Sequence, residues 1–180
     1  MIEFSFYGKI WDTTPQGNTT LLEVCKAIKN PDYAKERTEQ LRKINDLAAA
    51  KKFKQTEFDH VTFSGLFSVR KTADLIKPSG LICIDIDHIK CDIPELKQRI
   101  IYDRVIDAQL IFTSPSGDGL KIVLPYDLEV FPIFEDIFKE AEKYFLQNFD
   151  IQIDKACKNI DRACFICHDP YVYINPEIKC

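Results

Sequence analysis

Residues 81–90 read LICIDIDHIK, and this stretch constrains the fold more than any other. Side chains alternate along a strand, so Leu81, Cys83, Asp85 and Asp87 share one face while Ile82, Ile84 and Ile86 share the other. A strand that is apolar on both faces is central, and its sheet is covered on both sides. Two ionised carboxylates at the end of such a strand are costly without partners. They also repel each other, so one takes up a proton unless a cation sits between them. Asp-x-Asp at a strand end brings both carboxylates within reach of one or two divalent ions, and Mg²⁺ typically keeps waters and substrate phosphates as its remaining ligands. The plainer alternative is that the strand has ended and both acids are solvated or cap the next helix. An EF-hand is excluded, because Lys90 stands at the glycine position and Ile89 at the third ligand position.

The rest of the chain supplies a setting for that strand. EFSFYG (3–8) alternates and reads as a strand. Thr19 or Thr20 can cap a helix over 21–30, and Pro31 starts a second one, broken near Asn45, that runs to about Lys52. HVTFSG (60–65) is a short strand, 69–77 a turn of helix, and 78–80 a breaker. A helix over 94–105 and strands over 108–114 and 120–126 follow. Val130, Phe134, Ile137, Phe138, Ala141 and Phe145 lie at helical spacing, which predicts an amphipathic helix over 130–147. Residues 162–176 hold one or two strands broken at Asp169-Pro170. The expected architecture is α/β (α+β), a mixed sheet with helices packed on it. The chain reads as a single domain over 1–180, with 1–58 a mostly helical N-terminal part packed on the core.

Composition narrows the function classes. With 46% hydrophobic and 29% charged residues the chain is globular, not disordered. No apolar run reaches transmembrane length, and the N-terminus lacks a basic leader. Seven cysteines cannot all pair within one chain, so they read as reduced thiols of a cytoplasmic protein. The net charge of −4 does not advertise nucleic-acid binding. Residues 35–54, however, hold seven Lys/Arg against three Asp/Glu, either a solvated helix face or a basic patch.

Two further segments carry chemistry. SPSGDGLK (114–121) contains two of the six glycines. It reads as a hairpin turn or as an anion nest, with backbone N–H groups around Gly117 and Gly119, the hydroxyls of Ser114 and Ser116, and the charge of Lys121. It is not a Walker loop, since no Gly-Lys-Ser/Thr ending precedes a helix. Metal plus phosphate cradle is the recurring equipment of phosphoryl transfer. Downstream, QIDKACKNIDRACFICHDPYVYINP (152–176) carries Asp154, Asp161 and Arg162. An acid here can complete a metal site begun by Asp85 and Asp87, and Arg162 suits a carboxylate or phosphate partner. Cys157, Cys164, Cys167 and His168 lack the spacing of a zinc site and read as buried thiols with a neighbouring imidazole.

The order of these pieces resembles the archaeo-eukaryotic primase superfamily. More closely, FSGLF (63–67), SGLICIDID (79–87), SPSGDGLK (114–121) and residues 154–176 look like the VirE N-terminal domain family of bacterial mobile elements. The resemblance implies an RRM-like catalytic core and metal-dependent nucleotidyl transfer in DNA replication. Asp85, Asp87 and Asp154 would be catalytic and hold Mg²⁺ or Mn²⁺. Ser114, Ser116, Gly117, Gly119, Lys121 and Arg162 would hold a nucleoside triphosphate, with Asn175 nearby. Lys121 stands where active members carry a histidine. The implied partners are a DNA or RNA template, lying along Arg42, Lys43, Lys51, Lys52 and Lys54, and a fused or separate helicase-like replication protein; no membrane is involved. One alternative is a nucleic-acid-binding module that has lost its chemistry, which the Lys121 substitution favours. A second is a haloacid-dehalogenase-type phosphohydrolase, whose first Asp is the nucleophile. Against it, Ile89 occupies the usual Thr/Val position and no late Gly-Asp acidic loop follows.

Overall fold

The structure, a computed structural model, describes residues 2–178; Cys180, the seventh cysteine, lies outside them. Among these residues ten strands form three antiparallel sheets, accompanied by five α-helices. The first has the order β2-β1-β3-β9, from Gly17–Thr20, Glu3–Tyr7, His60–Thr62 and Cys164–Phe165. The second has the order β10-β7-β8-β6, from Tyr173–Ile174, Leu110–Thr113, Leu120–Pro125 and Leu81–Ile86. Gly65–Phe67 (β4) and Leu75–Pro78 (β5) form a separate two-stranded ribbon.

A mixed α/β chain is therefore what the molecule is, but the single mixed sheet expected from the sequence is not formed. β6 and β7 are joined through helix α4 (Ile93–Ile101) and both pair antiparallel with β8. They thus run parallel to each other without being neighbours. The crossover gives the two strands a common direction, and the tight hairpin strand β8 inserts between them.

The alternation in 81–86 decides where the two cores lie. Leu81 packs into one cluster with Phe4, Val61, Phe63, Phe112 and Cys164, and half-buried Cys83 rests against it. Ile82, Ile84 and Ile86 pack into the other with Leu96 and Ile100 of α4 and Phe138 and Phe145 of α5 (Phe134–Phe149). Helices α1 (Leu21–Lys29) and α2 (Pro31–Arg42) belong to the first core through Val24, Ile28 and Leu41. Helix α1 starts where expected: the Thr20 hydroxyl accepts from the Glu23 N–H, and the Glu23 carboxylate accepts from the Thr20 N–H, a complete capping box. Helix α3 runs over Leu47–Glu57, capped by Asp46. The segment expected as a turn of helix at 69–77 divides into a 3₁₀ turn, Thr72–Asp74, and strand β5. No helix among the described residues is long and apolar enough to cross a membrane.

Candidate functional site

Asp85 and Asp87 lie at the C-terminal end of β6, and a third acid reaches them through the backbone. The Asp154 N–H donates to the Asp85 carbonyl at 2.9 Å. Asp154 then caps a short 3₁₀ turn, Lys155–Lys158, by accepting from the Ala156 N–H. One carboxylate oxygen from each of Asp85, Asp87 and Asp154 lies within 4.8 Å of the others. The three acids singled out in the sequence are thus together, with Asp85 buried, Asp154 half-buried and Asp87 exposed.

Two cations share this cluster. Asp85 is the register partner of Lys121 across β6 and β8, and the Lys121 ammonium donates to Asp85 Oδ2. Arg162 Nη2 lies 3.2 Å from the same oxygen and also donates to Asp154 Oδ2. Burial works to lower the Lys121 pKa, but the charge of Asp85, the neighbouring thiols Cys164 and Cys83 and the bond to Asp85 together outweigh it and hold the ammonium above the ordinary lysine value. Arg162 is likewise raised against burial by Cys157, Asp154 and Asp85. The Asp87 carboxyl, exposed as a residue but facing the cleft, is raised first by the partial loss of water there and then by Asp85. Both cations are spent on one oxygen of Asp85. Its other oxygen, Oδ1, is buried and has no hydrogen-bond partner, which is costly unless something else satisfies it.

That orphaned oxygen is the test of whether the residues fit a metal. Three carboxylates converge, all donors are hard oxygens, and one buried acceptor is free. The set suits Mg²⁺ or Mn²⁺ and not a thiophilic ion.

The glycine turn lies over the same strand end. The Ile89 N–H donates to the Asp118 carbonyl at 2.8 Å, and His88 Nδ1 lies 2.7 Å from Asp118 Oδ2. A Cβ on Gly119 would stand 2.3 Å from the Ile86 carbonyl oxygen and 3.3 Å from Asp87 Cα, so only glycine permits this approach. The turn is a hairpin by its bonds, Ser114 N–H to Gly119 O and Gly117 N–H to Ser114 O. The Gly117 N–H is therefore engaged within the turn. Ser114 Oγ is buried without a partner, and Ser116 is exposed. Lys121 points at Asp85, and the cation at the turn is Arg42, which donates to the carbonyls of Ser114 and Pro115 at 3.3 Å. Of the basic residues expected on a template path, Arg42 is thus pinned to the turn and Lys54 reaches the cleft. Lys43, Lys51 and Lys52 are exposed. Asn175 bonds Asp107 instead.

Above the acids opens a cleft of about 400 Å³. Asp85, Asp87, Lys121 and Arg162 meet there with Lys54 and Gln55 of α3, Asn159 and Asp161, and Ile10 and Arg70. Arg70 and Ile10 carried no sequence signal beyond a basic residue in the run VRK and an apolar one in a loop. The cysteines beside the site are free. Cys83 Sγ lies 3.7 Å from Cys164 Sγ, and burial pushes Cys157 up to about 12.

No curated protein and no solved structure matches the chain. The family model described as BT4734-like, N-terminal domain matches residues 52–174, two thirds of the chain and the whole of the site apart from the Ile10 loop and Arg42. This match corrects the resemblance drawn from the motifs, which pointed to the VirE N-terminal domain family and the primase superfamily: the family model that matches is neither of these. By this match the chain belongs to the BT4734-like, N-terminal domain family.

Proposed function

We propose that the cleft binds a divalent cation, Mg²⁺ or Mn²⁺, on Asp85, Asp87 and Asp154 together with the phosphates of a nucleoside triphosphate, and transfers the nucleotidyl group to a hydroxyl of a nucleic-acid strand, the new bond to the α-phosphorus replacing its bond to pyrophosphate, which leaves. The observation that carries the reading is the buried, unpartnered Oδ1 of Asp85 inside a cluster of three carboxylates. When bound, such an ion neutralises charge on phosphate oxygens and lowers the pKa of an attacking hydroxyl.

The chain's own residues have separate tasks. Lys121 holds a positive charge against Asp85 in a buried setting. Arg162 spans Asp85 and Asp154 and holds the third acid against the strand end. Its planar fork also suits two oxygens of one phosphate. Gly119 lets the 114–119 turn sit over Asp87, where Ser116 and the turn backbone border the phosphates. An RRM-like core belongs to this reading. It is supported by the unit β6-α4-β7 with β8 lying between its two strands. A cytoplasmic setting belongs to it too, supported by six free cysteines among the described residues.

One observation favours a second reading, a nucleic-acid-binding module without chemistry. Arg162 and Lys121 already neutralise most of the charge on the acids, so the cluster holds together without an ion. Titration calorimetry separates the two. A non-hydrolysable nucleoside triphosphate should bind wild type only with Mn²⁺, and Asp87→Asn should weaken that binding by about tenfold or more, about 1.4 kcal/mol. Asp87 is exposed, so this variant keeps its fold. Binding that ignores Mn²⁺ and the substitution, or no binding at all, would sink the catalytic reading.

A further inference from the structure

The chain has one tryptophan, and Trp11 stands 60% exposed in the loop between β1 and β2. The loop that carries it is tied down. The Asp12 N–H donates to the Lys9 carbonyl at 2.8 Å, and the Asp12 carboxylate accepts from the Lys9 N–H at 2.8 Å, which closes a turn with Trp11 at its tip. The Arg70 N–H donates to Thr13 O at 2.7 Å, and Arg70 Nη2 donates to Ile10 O at 2.9 Å. The Ile10 N–H reaches Gln55 O at 3.3 Å, and Lys9 Nζ reaches Glu57 O at 3.1 Å. A large aromatic ring is thus held in water on a braced loop that bonds both α3 and Arg70.

The loop that carries the ring borders cations and the cleft. Ile10, next in sequence, lines the cleft with Lys54, Gln55 and Arg70. Lys51 lies three and four residues before Lys54 and Gln55 on α3, hence on the same helix face. Arg70 Nε is buried with no hydrogen-bond partner. A protein-binding hot spot would ring an exposed tryptophan with packed apolar side chains. Here the loop that carries the ring bonds Arg70 and the helix of Lys51 and Lys54, and an aromatic face with cations is the combination that holds single strands, bases on the ring and phosphates on the charges.

We propose that Trp11 is a stacking platform for one base of a single-stranded nucleic acid, whose phosphates run past Lys51, Lys54 and Arg70 into the acidic cleft. The inference rests on the nucleotidyl-transfer reading of that cleft and names the surface that receives its strand.

Because Trp11 is the sole tryptophan, indole emission reports this one position. A fluorescein-labelled oligothymidylate followed by anisotropy, and its unlabelled form followed by indole quenching, give two readouts on the same protein. The two curves should coincide. Trp11→Ala should weaken binding by about tenfold, and Trp11→Phe by less, as expected for loss of one stacked base. Lys54→Glu should weaken binding and flatten its dependence on salt. A rise in anisotropy with no quenching, and Trp11→Ala binding like wild type, would place the strand elsewhere and overturn the platform. No anisotropy change with or without Mn²⁺ would overturn it as a nucleic-acid surface. The Mn²⁺–triphosphate titration above judges the cleft by itself in either case.

Discussion

Replacing Asp85 by Asn tests how the site is built into the fold. Asparagine has the same shape, so no cavity opens and packing is unchanged. What changes is Lys121. Its side chain is 12% exposed, and its register partner Asp85 is 5% exposed. Removing one partner of a buried ion pair costs about 3–5 kcal/mol. The ceiling follows from proton chemistry. A stranded lysine can escape its charge by losing a proton, and at pH 7 that costs about 1.36 kcal/mol for each of the roughly 3.4 units below its ordinary pKa, or about 4.6 kcal/mol. Arg162 offers no relief to Lys121, since it is itself a cation and retains Asp154.

The expected loss in urea denaturation at pH 7 is therefore about 3–5 kcal/mol, with a melting temperature lower by about 10 °C for a chain of this size. Lys121→Met should cost less, because Asp85 still pairs with Arg162. The double variant Asp85→Asn/Lys121→Met should recover more than half of the Asp85→Asn loss, because neither charge is then buried alone. An Asp85→Asn protein within about 1 kcal/mol of wild type, or single effects that simply add, would refute the reasoning. A corollary concerns assays: an inactive Asp85→Asn protein says little about catalysis, and the exposed Asp87 is the position at which chemistry and folding can be told apart.

Further outcomes follow at three residues, His60, Gly119 and Gly117. His60 is fully buried between Tyr7 and Phe165, with Nδ1 3.1 Å from the Gly8 carbonyl, and burial, then Arg70, lowers its pKa from 6.5 to about 4. The unfolded chain takes up this proton as pH falls below about 6.5 while the folded chain does not, so stability present above pH 6.5 is lost toward pH 4. Wild type should lose about 3 kcal/mol more than His60→Gln between pH 7 and pH 4 in urea titrations; parallel losses would contradict this. Gly119→Ala should cost about 3 kcal/mol, because its Cβ would meet the Ile86 carbonyl oxygen at 2.3 Å, and should weaken Mn²⁺ binding by shifting Asp87. Gly117→Ala meets only the flexible Arg42 side chain at 3.0 Å, so its positive φ should cost about 1–2 kcal/mol and leave Mn²⁺ binding unchanged; equal effects of the two would show that the close approach is unimportant.

What could be read from the sequence divides along a physical line. The two-faced strand, the Thr20 cap, the hairpin at 114–119 and the helix containing Phe138 and Phe145 each rest on contacts a few residues apart or on a periodic face. The structure keeps all of them, except that the two-faced strand β6 lies at the edge of its sheet and not in the centre expected for it, covered on both faces by the two cores, and that the last helix begins at Phe134. β2 was missed because GNTT has no apolar alternation; it is an edge strand held by its pairing with β1. The division into separate sheets was also out of reach. It depends on which distant strands pair, as when His60 and Val61 meet Phe165 and Cys164, and nothing local encodes that choice.

The site follows the same division and explains its own composition. Asp85 and Asp87 were legible because two carboxylates on a buried strand demand a partner. Asp154 and Arg162 were legible as types but not as positions. Arg162 lies in the turn before β9, not at the head of a strand, and reaches back across 77 residues to Asp85. Lys121, expected as a phosphate ligand, is committed to Asp85 by the register of β6 and β8. The strand pairing that builds the central sheet therefore also sets the charge balance of the cleft: three acids, two internal cations, and one carboxylate oxygen without a partner. An arrangement made for stability alone would gain by replacing the buried pair with apolar side chains. Charges buried at the end of this edge strand, open to a cleft lined by further cations, are the physical argument for a ligand at this strand end.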